Sequence, residues 1–156
     1  MKIFLLTILL LIAISNGSLK GQSSQSKLYN LEKGIAIQGY DPVSYFKNEK
    51  PKKGKSSISK ELDGVIYYFA SSEARDLFIA NPTAYQPAYG GWCAYAMGID
   101  GSKVKIDPKT FKIVEGKLYL FYNFYLNNTM KKWNQDEGNL KRNADSYWAK
   151  IGTVDQ

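Results

Sequence analysis

Chemistry has few starting points in this chain. Its 156 residues include no histidine and a single cysteine, Cys93, set in the stretch Tyr89-Gly90-Gly91-Trp92-Cys93-Ala94-Tyr95-Ala96-Met97. A closed structural zinc site takes about four Cys, His or carboxylate ligands, and acyl-transfer triads use an imidazole base. One copy of the chain builds neither. The soft donors left are Cys93 and Met97, four residues apart. In a helix that spacing brings both sulfurs to one face, and thiolate with thioether suits Cu(I). Copper or another soft metal is therefore the cofactor to consider, without a complete ligand set in one chain. Three other readings of Cys93 stand beside this one: a small buried hydrophobe, a reactive thiol near a helix N-terminus, and an intermolecular disulfide.

Aromatic residues offer a second kind of site. The chain has 12 Tyr, 7 Phe and 3 Trp, and Tyr40, Tyr45, Tyr89 and Trp92 lie close to Asp41 or Cys93 in sequence. Their polar tips, with the Asp41 carboxylate, could line a pocket for a small ligand. Core packing is the competing reading, and Asp41 is equally explained as a local cap. Tyr119, Phe121, Tyr122, Phe124 and Tyr125 put aromatics on both faces of one strand. Such a strand is buried on both sides or lines a pocket. The acidic residues lack the alternating spacing of a calcium loop, and the glycines match neither a phosphate-binding loop nor a dinucleotide fingerprint. An enzyme is accordingly the weakest reading and a non-enzymatic binding module the strongest.

The elements that must position these residues read as α+β: short antiparallel strands and hairpins packed with several helices in a single compact domain. Ile35-Ala36-Ile37 suits a strand. Tyr40 to Val43 suits a turn into a short helix, with Asp41 capping and Pro42 at the first helical position. Asp63-Gly64 marks a two-residue turn between strands over 57–69, and Ser71 or Ser72 caps a helix that carries Ala74, Leu77 and Phe78 and stops at Asn81-Pro82. Cys93 to Met97 predicts a short helix. Val104 to Ile106 and Lys112 to Val114 predict strands, and Glu115-Gly116 turns the second of these into Leu118 to Tyr122. From Asn127 to Ile151 the apolar spacing is helical, interrupted at Gly138.

The N-terminus carries Lys2 and then an apolar run from Ile3 to Ile14, followed by small polar residues. This is too short for an ordinary membrane span and suits an export signal over 1–21. A polar segment at 22–33 follows, with 22–27 expected to be disordered, and then the domain at 34–151. The net charge of +7 in an exported, periplasmic or secreted protein points to anionic surfaces rather than nucleic acid. Lys47, Lys50, Lys52, Lys53 and Lys55 crowd an expected loop, read first as a solvated face and second as suiting weak contact of that kind.

Four blocks together carry a family resemblance: Gly39-Tyr40-Asp41-Pro42-Val43-Ser44-Tyr45-Phe46, then Tyr67 to Phe78 with Asn81-Pro82 and Tyr85, then Tyr89 to Met97, then Phe111 to Leu120. In this order and spacing they resemble the exported single-domain branch of the YHS family over residues 34–151. Related domains occur in heavy-metal transport ATPases and metal-sensing proteins, in which cysteines of this unit are assigned to metal. By that resemblance the ligands would fall at Ser44, Ala70 and Ala74, none of which is a cysteine here. The resemblance thus implies the scaffold without its metal-ligand set. The expected function is binding of a small ligand or metal ion near Cys93, walled by Tyr40, Asp41, Tyr45, Tyr89, Trp92 and Met97. The alternative is a structural or protein-interaction domain whose cysteine is core.

Overall fold

The structure, a computed structural model, describes residues 24–47 and 50–154. The expected export signal at 1–21 lies outside the described residues. Helix α1 (Ser24–Leu28) leads into strands β1 (Leu31–Glu32) and β2 (Ile35–Ala36), and a tight turn over Ile37–Gly39 leads to α2 (Ser44–Lys47). The hairpin β3 (Lys55–Leu62) and β4 (Val65–Phe69) is followed by α3 (Ser72–Ala80) and α4 (Pro82–Tyr85). A second tight turn, Ala88–Gly91, precedes α5 (Ala94–Asp100), then β5 (Asp107–Val114), β6 (Lys117–Phe121), β7 (Asn123–Phe124), β8 (Asn127–Asn128), α6 (Thr129–Trp133) and α7 (Glu137–Val154). This is an α+β fold. One four-stranded sheet runs β1-β2-β4-β3, and β5-β6 and β7-β8 form separate antiparallel pairs. Within the larger sheet β2 joins β4 in parallel, pairing Ile35 with Ile66, which departs from the expected antiparallel pattern.

Two hydrophobic cores share a single strand. β4 buries Val65, Tyr67 and Phe69 on one face, as period-two alternation requires. Those side chains pack with Phe78, Val43, Tyr45 and Cys93 in the first core. The second core gathers Met97, Trp133, Leu140 and Ala144 from the three later helices. β6 lies between them, sending Leu118 and Leu120 into the first core and Tyr119 and Phe121 into the second. Each fully buried Leu or Phe contributes roughly 1.5–3 kcal/mol, so this one strand couples both halves. The expectation of a strand buried on both sides holds for 118–121.

Several local expectations need correction. Residues 24–27 are helical rather than disordered. The chain around α1 is held by the Gly90-Gly91 turn: Asn30 donates its backbone N–H to Gly90 O at 2.9 Å and its side chain to Gly91 O at 3.0 Å. These partners are distant in sequence, so local polarity could not reveal them. Pro42 sits in the turn before α2 rather than at its first position. Val104 to Ile106 forms no strand, and the carbonyls of Val104 and Ile106 accept from Cys93 and Gln38 instead. The helical break falls at 134–136, and Gly138 lies inside the first turn of α7.

Candidate functional site

Cys93 stands at the N-cap of α5 with φ −59° and ψ 116°, so it precedes the helix rather than belonging to it. Its backbone N–H donates to Val104 O at 2.9 Å, and it bridges to Leu120 in β6. The sulfur sits in a closed ring of hydrogen bonds. Tyr122 N–H donates to Sγ at 3.4 Å, and Sγ lies 3.4 Å from Thr129 Oγ1. The Thr129 hydroxyl donates to Tyr122 O at 2.9 Å, which leaves the thiol as donor to Thr129. Cys93 has 0% exposed surface.

Above this ring lies an open cleft of about 340 Å³. Tyr95, Ala96 and Ile99 of α5 form one wall, and Tyr122, Asn127 and Thr129 form the other. Ser102 and Val104 also line it. The surface is mainly apolar with a few hydroxyl, amide and carboxylate groups, the character of a small-ligand pocket. Asp100 at the rim accepts the Ser102 backbone N–H at 3.0 Å, and its hydrogen bonding to Ser102 holds the carboxyl below the ordinary aspartate range.

The residues expected as a wall lie elsewhere, and the polar groups of Asp41, Tyr45, Tyr89 and Trp92 each have a structural partner. Tyr40 lies beneath Lys53, whose Nζ is 4.7 Å from the ring centre. Asp41 is buried and accepts backbone N–H groups from Val43 at 2.8 Å and Ala70 at 2.9 Å. The Tyr45 hydroxyl donates to Pro108 O at 2.7 Å, and the Trp92 indole donates to Leu28 O at 2.7 Å. Tyr89 donates to Asp145 Oδ1 at 2.8 Å and borders a different cavity, of about 260 Å³, with Lys117, Tyr119 and Trp148. Burial first, then the Asp145 carboxylate, raises the Tyr89 hydroxyl well above its ordinary range. Burial lowers the Lys117 ammonium. Of the expected site residues, only Cys93 borders the cleft beside it.

The paired-sulfur expectation is also corrected. Met97 N–H donates to Cys93 O at 3.0 Å, but the non-helical φ/ψ of Cys93 breaks the one-face rule. The two residues pack in different cores, Cys93 with Phe69 and Leu120, Met97 with Phe121 and Trp133. The buried thiol likewise lacks the exposed setting that a reactive cysteine or an intermolecular disulfide requires. Among the described residues no group of three or more His, Cys, Asp and Glu side chains converges on a metal-sized site.

The positions that family resemblance assigns to metal carry structural hydrogen bonds. Ser44 Oγ donates to Asp41 O at 2.7 Å and accepts Lys52 N–H at 2.9 Å. Ala70 supplies the N–H that Asp41 Oδ2 accepts.

Sequence reasoning missed Tyr95, Ile99, Asn127 and Thr129 as cleft residues. The four-residue step from Tyr95 to Ile99 could have indicated one half-exposed helix face. No local signal joined Asn127 and Thr129 to it. Tyr122 belonged to the aromatic run already read as core or pocket lining. Among the described residues no helix is long and apolar enough to cross a membrane. Compared with protein-family models, curated proteins and solved structures, the chain matches none of them.

Proposed function

We propose that this chain is an exported, non-enzymatic binding module of the YHS type, whose cleft beside Cys93 takes a small, mostly apolar ligand bearing one or two polar groups. The observation that carries this reading is the open cleft of about 340 Å³, with apolar walls and few polar groups. A metal ion fits less well, since the thiol is buried and already hydrogen-bonded at Tyr122 and Thr129. Cys93 then serves as the base beneath the cleft rather than as a ligand. The four motif blocks support the family assignment, and the apolar N-terminal run supports export.

Ala96 lines the cleft and has a small side chain, so Ala96→Phe fills the space with little disturbance behind it. The test is displacement of bound anilinonaphthalene sulfonate by a panel of small aromatic and aliphatic amphiphiles. Saturable displacement from the parent protein, abolished in Ala96→Phe, supports the reading. Equal behaviour of the two proteins overturns it. A second reading, an interaction domain without a small ligand, draws support from the fully buried thiol. It expects no displacement from either protein.

A further inference from the structure

Among the described residues four two-residue hairpin turns are built by two different rules, the first being Lys33-Gly34 between β1 and β2, with φ 51° and 82°. Such turns need two consecutive left-handed residues, a conformation that glycine and asparagine adopt and bulky side chains resist. Between β3 and β4 the turn is Asp63-Gly64, with φ 50° and 77°, and between β5 and β6 it is Glu115-Gly116, with φ 50° and 72°. Between β7 and β8 it is Tyr125-Leu126, with φ 50° and 64°. Neither side chain recovers that cost by packing. Tyr125 is 96% exposed and Leu126 106%, and the adjoining Phe124 is 43% exposed. A local rule broken with no gain inside the fold is the pattern expected of a functional surface.

The surroundings of this tip are basic. Lys131 and Lys132 are exposed on α6, which follows β8 directly. The β7–β8 hairpin is tied to β5 by Asn123, which donates to Thr110 Oγ1 at 2.9 Å, and Lys109 beside Thr110 is exposed. Across the cleft, Lys103 and Lys105 flank Val104 and are also exposed. Nearby acids include Asp100, Asp107 and, past the end of α6, Asp136, and both Asp107 oxygens are occupied by the Lys109 N–H and the Thr110 hydroxyl.

We propose that the β7–β8 tip is a membrane-docking element, in which Phe124, Tyr125 and Leu126 enter the headgroup–acyl boundary of an anionic bilayer while the surrounding lysines face its charged headgroups. Apolar insertion combined with basic flanks is the arrangement that binds anionic lipid reversibly. These lysines are other than Lys47, Lys50, Lys52, Lys53 and Lys55, and the inference stands whether or not the neighbouring cleft holds a ligand.

Co-sedimentation with vesicles of phosphatidylcholine, with and without phosphatidylglycerol, tests it. The parent protein is expected to bind the anionic vesicles and to bind less at high salt. Replacing the tip by Tyr125→Asn with Leu126→Gly installs the favoured turn residues, so the fold is kept and its melting temperature rises. The same change lowers vesicle partitioning by about tenfold or more, as removal of two inserted side chains requires. Leu126→Asn alone, which tolerates the left-handed position, weakens binding in the same direction. Lys52→Gln with Lys55→Gln leaves binding largely intact. Absence of vesicle binding overturns the proposal, as does full binding by the Asn-Gly variant. It is equally overturned if the Lys52/Lys55 variant abolishes binding. A concentration-dependent dimer that the Asn-Gly change dissolves, without vesicle binding, assigns the tip to self-association instead.

Discussion

Asp41 Oδ2 accepts the backbone N–H of Ala70 at 2.9 Å across 29 residues of sequence, while Oδ1 accepts that of Val43 at 2.8 Å. One buried carboxylate thus fastens the turn before α2 to the end of β4. It joins the first two blocks of the sequence motif, and it does so through the backbone, so it is indifferent to the side chain at position 70.

Removing this carboxylate leaves two backbone donors without their acceptor at a site where Asp41 is 1% exposed. Asp41→Ala is expected to destabilise the fold by about 3 kcal/mol or more, since bonds to charged groups are worth ~1.5–3 kcal/mol each. Asp41→Asn keeps one acceptor oxygen and loses less. Urea denaturation of the three proteins checks the order.

Helix α5 lies against α7 at Gly98, where an added Cβ would stand 2.5 Å from Leu140 O. A fixed backbone atom cannot yield as a side-chain end can. Gly98→Ala is therefore expected to cost about 1–3 kcal/mol through overpacking. The loss should fall on the second core, read as earlier quenching changes of the buried Trp133 on heating.

Burial raises the hydroxyls of Tyr45, Tyr67 and Tyr89 above their ordinary value. The unfolded chain therefore ionises first as pH rises. Their contribution is complete below about pH 10 and declines above it as the unfolded state sheds protons that the folded state keeps. Stability is expected to fall steeply on the alkaline side. Tyr67→Phe should make that fall shallower, measured by thermal melts between neutral and strongly alkaline pH.

At the acid end Glu137 behaves in the opposite sense. Its carboxylate accepts from Lys112 Nζ and from the buried Trp133 indole. The Lys112 bond is the main cause that holds it below the ordinary glutamate range, against some burial. Its contribution is present above roughly pH 4.3 and is lost as pH falls through the lowered folded value. The site is partly exposed, so the effect is small and salt-sensitive. Glu137→Gln should flatten the acid limb of the stability profile.

Cys93 offers a prediction about reactivity. With its sulfur buried and its hydrogen directed to Thr129, native protein should react with a neutral thiol reagent only through opening of the fold. Modification should accelerate steeply in denaturant, and Thr129→Val should increase the native rate by loosening the ring. Rapid native modification would contradict the arrangement described.

Much of the scaffold was legible because its signals are local. The Asp63-Gly64 and Glu115-Gly116 turns carry φ above 0° with glycine at the second position of each, and Ser71 caps α3 through the Ala74 N–H at 3.2 Å. The apolar residues of β6 announced burial on both faces. The candidate site was legible only in its one cysteine and in Tyr122 of the aromatic run. Reading Cys93 and Met97 by helical spacing failed because the backbone at Cys93 is not helical, a boundary effect of one residue. The tyrosine wall failed because Tyr45, Tyr89 and Trp92 spend their polar atoms on partners more than fifty residues away.

By itself the sequence determined the fold class, the Asp63-Gly64 and Glu115-Gly116 hairpin turns, the shortage of metal-binding donors and the basic character, all properties of residue type and short-range spacing. Only the tertiary structure decided which side chains share a surface. It carried Asn127 and Thr129 across to α5 to make the cleft, sealed Cys93 beneath it, and left Tyr125 and Leu126 in solvent. Long-range hydrogen bonds settle those placements, and they have no signature in any short stretch of chain.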